Sequence, residues 1–124
     1  LTKGLKQFKP NEMGINEYCK AKGHFIAPHT DNRYLEGPII ISISLLIDCL
    51  MTYTPANSSA NPMDSQDNET SSSSPSSTSV YLPKRSLLVM EGDARYKWKH
   101  AIFNQDLFGE RRISLTFREA GLMK

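Results

Sequence analysis

Three observations on the sequence predict an all-β fold, a sandwich or a barrel. Six short runs alternate β-branched or aromatic residues with polar ones, Gly, Pro, Asn or Asp bounds them, and helical periodicity is almost absent. A parallel βαβ arrangement needs crossover helices, for which 124 residues so patterned leave no room. Composition fits one globular unit spanning 1–124, with 39% hydrophobic and 23% charged residues. The longest apolar stretch, 38–50, is broken by Ser42, Ser44 and Asp48 and falls short of the roughly 20 residues of a membrane-spanning helix. No membrane partner is expected.

In chain order, the strand-like runs are residues 13–19, 24–29, 39–46, 86–90, 96–102 and 112–118. Lys22-Gly23, Glu36-Gly37-Pro38, Glu91-Gly92-Asp93 and Phe108-Gly109-Glu110 read as the turns or loops between them. Residues 55–79 hold ten serines, three prolines and one large apolar side chain, Met63. Such a segment buries too little apolar surface to offset the entropy of ordering it, so it is expected to be a disordered loop inserted into the domain. Closing a long loop costs only slowly more with length, and the strand pattern resumes beyond it. No fixed-period repeat occurs, which excludes solenoids and propellers.

The net charge is +2, and setting aside Asp64, Asp67 and Glu69 of the serine-rich segment leaves +5 on the rest of the chain. That balance is compatible with an anionic partner without requiring one. Cys19 and Cys49 are isolated thiols lacking CxxC spacing, a usage that suits a reducing compartment, cytoplasmic or nuclear. Leu1 stands where an initiator methionine would, and no signal-peptide pattern follows, so the sequence reads as a segment of a longer chain.

Residues two apart on a strand share a face. His29 and Asp31 therefore point the same way near a strand end. In 95–100 the alternation places Arg95, Lys97 and Lys99 on one face and Tyr96, Trp98 and His100 on the other, inward one. In 112–118 it sets Ile113, Leu115 and Phe117 against a polar floor of Arg112, Ser114, Thr116 and Arg118. Two histidines and one carboxylate are the donor set that binds Fe(II) on one face and leaves positions open for substrate and oxygen. Taken singly, each piece has an ordinary reading: a surface or core histidine, a satisfied buried His100, arginines in salt bridges. Their joint order, His-x-Asp, a later His, then paired arginines on the last strand, is what singles them out.

That order is the pattern of Fe(II)/2-oxoglutarate dioxygenases. The runs Asn16-Glu17-Tyr18, Pro28-His29-Thr30-Asp31, Arg85-Ser86-Leu87-Leu88-Val89-Met90, Trp98-Lys99-His100-Ala101-Ile102 and Arg112-Ile113-Ser114-Leu115-Thr116-Phe117-Arg118-Glu119 resemble those of the AlkB family. They cover most of the chain outside the serine-rich segment and are most similar to the fourth AlkB homologue subfamily. The resemblance implies a double-stranded β-helix, or jelly roll, with few or no helices. It implies Fe(II) held by His29, Asp31 and His100, and 2-oxoglutarate as cosubstrate with its distal carboxylate on Arg112, helped by Asn16 and Tyr18. Arg118 would lie beside Asp31 and the keto-acid end. The family archetype carries asparagine where this chain has Ser114.

The implied reaction is oxidative N-demethylation: an N-methyl group is hydroxylated and lost as formaldehyde. By resemblance the expected substrate is methylated lysine in a protein, the alternative being N-methylated nucleobases in DNA or RNA. A non-catalytic jelly-roll binding module is the competing class. The lid and supporting helices of the family's base-repairing members have no counterpart in these residues, since only eleven precede the first core strand. Tyr34, Tyr96 and Trp98 are candidates either for an aromatic cage around a methylammonium or for ordinary core positions. His24 is read as a loop or strand-edge residue outside the site.

Overall fold

The alternation that marks the strands also decides what each sheet presents to the interior. The computed structural model describes residues 3–57 and 76–121. It contains β1 (Glu12–Cys19), β2 (Ile26–His29), β3 (Glu36–Leu45), β4 (Cys49–Pro55), β5 (Thr78–Leu82), β6 (Ser86–Met90), β7 (Trp98–Ile102) and β8 (Arg111–Ala120), with one short helix, α1 (Gly92–Tyr96). The strands form two four-stranded antiparallel sheets, in the orders β1-β8-β3-β6 and β2-β7-β4-β5. This is the double-stranded β-helix. No helix among the described residues is long and apolar enough to cross a membrane.

Register sets the rows of the first sheet. Asn16 lies opposite Ser114, which lies opposite Ser44; Gly14, Thr116 and Ser42 form the next row, and Glu12, Arg118 and Ile40 the one after. With Arg112, which lies opposite Tyr18, these rows supply the inward-facing polar set, of which Ser44, Arg112, Ser114 and Thr116 are buried. The alternate rows, Met13-Phe117-Ile41-Val89 and Ile15-Leu115-Ile43-Leu87, face outward. The apolar core lies between the sheets and toward the second one, where Cys49, Met51, Tyr53, Leu82, Ile102 and Leu107 are buried together with Tyr18, Ile40 and Met90.

Four expectations need correction. Strands β4 and β5 flank the serine-rich segment and were not anticipated; Pro55, Thr78 and Ser79, placed within that loop, belong to them. Within the segment, 58–75 falls outside the described residues. Glu36-Gly37-Pro38 is not a loop but the start of β3, where the register shifts between Glu36 and Ile40 and so accommodates a proline that cannot donate to the ladder. Tyr96 lies in α1 rather than a strand, because Gly92 at φ 60° turns the chain into a helical turn first. The alternation predicted for 95–100 therefore starts three residues late, and Arg95 points inward, 1% exposed, instead of joining a solvated cationic face.

Candidate metal and cosubstrate site

Register brings the candidate ligands together. His29 on β2 is paired directly with His100 on β7, their ring centroids 4.3 Å apart, and Tyr53 of β4 flanks His100 on the other side. Asp31, two residues beyond the end of β2, places Oδ1 3.2 Å from His29 Nε2 and 3.6 Å from His100 Nε2. These three residues are the one group among those described that could hold a metal ion, with one donor atom of each lying within 4.8 Å of the others. His29 is partly exposed at the mouth, whereas Asp31 and His100 are buried.

The protonation chemistry fits a cation at the centre. Ala27 O can only accept, so the 2.8 Å contact fixes the hydrogen on His29 Nδ1 and turns the Nε2 position toward the Asp31 carboxylate. Two acceptors face each other there unless a proton or a metal lies between them. Consistently, the hydrogen bond with Asp31 raises the pKa of His29 despite its burial. Burial pushes Asp31 up, but the His29 hydrogen bond and the Arg118 and His100 charges outweigh it and hold the carboxyl at about 2. Burial, reinforced by His29, lowers His100 to about 4, and its Nδ1 is buried with no hydrogen-bond partner. An ionised carboxylate beside a neutral histidine is the state in which these groups ligate.

Arg118 on β8 donates from Nε to Asp31 Oδ2 at 3.2 Å and lies 3.5 Å from Glu36 Oε2 and 3.8 Å from Glu12 Oε1. It is thus beside Asp31, as anticipated. Arg112, six residues earlier on the same face, is 1% exposed. Its Nε donates to Ser44 Oγ at 2.9 Å and its guanidinium lies 5.2 Å from the Tyr18 ring, directly across the strand pair. No carboxylate among the described residues pairs with it. Burial raises the Tyr18 pKa against the opposing Arg112 charge, so the phenol stays neutral.

All seven candidate residues, Asn16, Tyr18, His29, Asp31, His100, Arg112 and Arg118, line one cavity with about 60 Å³ open to water. Ser114 lines it as well, opposite Asn16 in register. Tyr34, Tyr96 and Trp98 do not; Tyr34 is 64% exposed, Tyr96 lies against Arg33 and Arg95, and Trp98 packs on the core. His24 lies outside the strands and accepts the Cys19 N–H through Nδ1. Strand alternation does not reveal Arg95, which donates to the Asp31 and Asn32 carbonyls.

A jelly roll with a His-x-Asp pair, a distant histidine and a buried arginine around one cavity is the architecture of a metal- and keto-acid-dependent oxygenase. The family model described as "2OG-Fe(II) oxygenase superfamily" matches residues 1–118, and the chain belongs to that superfamily. Within it the chain is AlkB-like. It is 34% identical to alpha-ketoglutarate-dependent dioxygenase alkB homolog 4 of Homo sapiens over a 130-residue alignment, covering 94% of this chain and 43% of the relative. It is 36% identical to the DNA N6-methyl adenine demethylase of Caenorhabditis elegans over 118 residues, covering 95% of this chain and 35% of the relative. The alkylated DNA repair protein ALKBH8 homolog of Arabidopsis thaliana is 31% identical over 126 residues, covering 94% and 36%. The chain thus spans less than half the length of these relatives.

Proposed function

We propose that this chain is the catalytic core of an Fe(II)- and 2-oxoglutarate-dependent oxidative N-demethylase. The observation that carries the reading is the meeting in one cavity of a His-Asp-His donor set and a buried guanidinium that no carboxylate among the described residues pairs with. His29, Asp31 and His100 hold the metal. Arg112 receives the distal carboxylate of the keto acid with two parallel N–H donors, a geometry a guanidinium fits and an ammonium does not. Tyr18 stacks on that guanidinium and offers a neutral hydroxyl; Ser114, with the Asn16 amide across from it, supplies the polar contacts at the neighbouring row. Arg118 helps to keep Asp31 ionised and holds its Oδ2, while Oδ1 faces the two histidines.

When bound, iron and 2-oxoglutarate supply, with O₂, the oxidant for hydroxylating a methyl C–H bond, giving succinate and CO₂. The hydroxymethyl amine that results releases formaldehyde and the free amine. As for substrate, the relative named as a DNA N6-methyl adenine demethylase favours an N-methylated nucleobase. Methyl-lysine in protein, the first expectation from the sequence, is the second reading, and none of the three aromatic residues considered for a methylammonium cage lines the cavity.

Anaerobic titration of the apo-protein with Fe(II) and 2-oxoglutarate tests the centre. The visible charge-transfer band of a chelated keto acid is expected in wild type and absent in His29→Ala. A well-folded wild type without the band returns the chain to the binding-module class. Formaldehyde release from N6-methyladenine oligonucleotides against methyl-lysine peptides then separates the substrates.

A further inference from the structure

Arg95 is as buried as Arg112, yet its guanidinium is filled entirely by main chain. Nη1 donates to Asp31 O at 2.8 Å, Nη2 to Asn32 O at 3.1 Å and Glu36 O at 3.3 Å, and Nε to Gly37 O at 3.3 Å. One face of the group lies 4.8 Å from the Tyr96 ring, and no carboxylate among the described residues pairs with it. All four carbonyls belong to the short segment that leaves β2 after His29 and enters β3.

That segment has little ladder of its own. Asp31 lies beyond β2, Glu36 pairs with Ala120 of β8, Leu35 O accepts the Gly121 N–H, and the regular pairing of β3 resumes only at Ile40 after the register shift. Internally it is closed by Asn32, whose Oδ1 accepts the Tyr34 and Leu35 N–H groups and whose carbonyl accepts that of Glu36. These bonds make the turn a unit. Its later end is tied to β8 by the Glu36 pairing and the Leu35 carbonyl, and Arg118 holds the Asp31 side chain. Arg95 grips the main chain at both ends of the turn from α1, and α1 runs into β7, which carries His100.

From this geometry we infer that Arg95 is a positioning residue of the metal centre, setting the carboxylate of Asp31 against His100 by clamping the main chain on which Asp31 sits. The inference rests on the assignment of His29, Asp31 and His100 as the ligands. It explains why a fully buried cation lies so close to the site without an anion: four carbonyl dipoles spread around a planar fork satisfy a guanidinium, whereas one lysine nitrogen reaches only part of that arc. Residues that orient metal ligands commonly govern affinity by about 10- to 100-fold.

The test uses the full chain and Co(II) alone as probe, reading affinity and the visible ligand-field spectrum, with thermal melting of each apo-protein. Wild type is expected to bind and His29→Ala not to; failure here removes the ligand assignment itself, independently of Arg95. Arg95→Lys should weaken Co(II) by about 10- to 100-fold and alter the spectrum at saturation. Leu82→Ala, a core truncation remote from the segment, serves as the control for general loss of stability and should keep wild-type affinity below its melting temperature. Wild-type affinity and spectrum in Arg95→Lys, or an equal loss in Leu82→Ala, would overturn the inference. If Arg95→Lys does not fold, hydrogen exchange on wild type decides: amides of 32–37 and the Arg95 Nε–H should gain protection when Zn(II) saturates the protein, and unchanged exchange refutes the coupling.

Discussion

Replacing Arg112 by methionine separates cosubstrate binding from folding. The side chain is 1% exposed, and its hydrogen-bond partner in the structure is Ser44 Oγ at 2.9 Å. In the apo-protein the substitution loses that bond, at a cost of about 1–3 kcal/mol, and leaves the Ser44 hydroxyl with the Cys49 thiol beside it. It also removes a buried charge lacking a counter-ion, whose desolvation penalty is about several kcal/mol. Methionine fills similar volume and adapts to irregular space. The apo melting temperature is therefore expected to equal or exceed that of wild type. With 2-oxoglutarate the balance reverses: two charge-assisted hydrogen bonds at about 1.5 kcal/mol or more each are lost, so affinity should fall at least about 100-fold. Anaerobic titration of the Fe(II) form, followed by the charge-transfer band, reads this directly, with metal affinity measured separately. A 2-oxoglutarate affinity within about threefold of wild type would refute the role assigned to the arginine. Equal losses of metal and cosubstrate would show that the site had misfolded.

Metal binding should release a proton from His29, because the Asp31 contact raises its pKa above the usual 6.5. Affinity then rises with pH through that raised value and levels off beyond it; calorimetry in buffers of different ionisation enthalpy counts the proton, and zero release would contradict the Nε2 assignment. Gly109→Ala should destabilise by about 1–3 kcal/mol, since the added Cβ would overlap the Ile47 side chain, while metal affinity in the folded fraction is unchanged. Denaturant unfolding measures it. Leu107→Ala, at a fully buried position of the core, should cost about 2–5 kcal/mol in the same assay, and a loss below about 1 kcal/mol would mean that the core relaxes around the cavity.

Much of the fold was readable because its strands obey period two. The run 86–90 coincides with β6, and 13–19 and 112–118 miss β1 and β8 by one or two residues at their ends. β4 is harder to read: Cys49, Met51 and Tyr53 alternate as buried residues with Leu50, Thr52 and Thr54, but the strand ends at Pro55, where the serine-rich composition begins, and its partner β5 lies beyond that segment. β5 has little such pattern: it is an edge strand, and among Thr78–Leu82 only Leu82 is buried. Alternation over 95–100 puts Arg95 on an outward face, whereas the turn at Gly92, with its positive φ, continues as a helical turn through Tyr96 and carries Arg95 inward.

The sequence by itself determined the strand alternation, the polar face of the last strand and the order His29, Asp31, His100, Arg112, Arg118. Each is a local property, set by side-chain period and residue type within a few positions. Tertiary structure decided which face of each sheet is interior, that His29 lies against His100 across seventy-one positions of chain, and that one buried arginine is filled by carbonyls while the other faces the cavity with a serine hydroxyl on its Nε. Those facts depend on register between strands distant in sequence. A one-residue slip in register would turn the opposite faces inward.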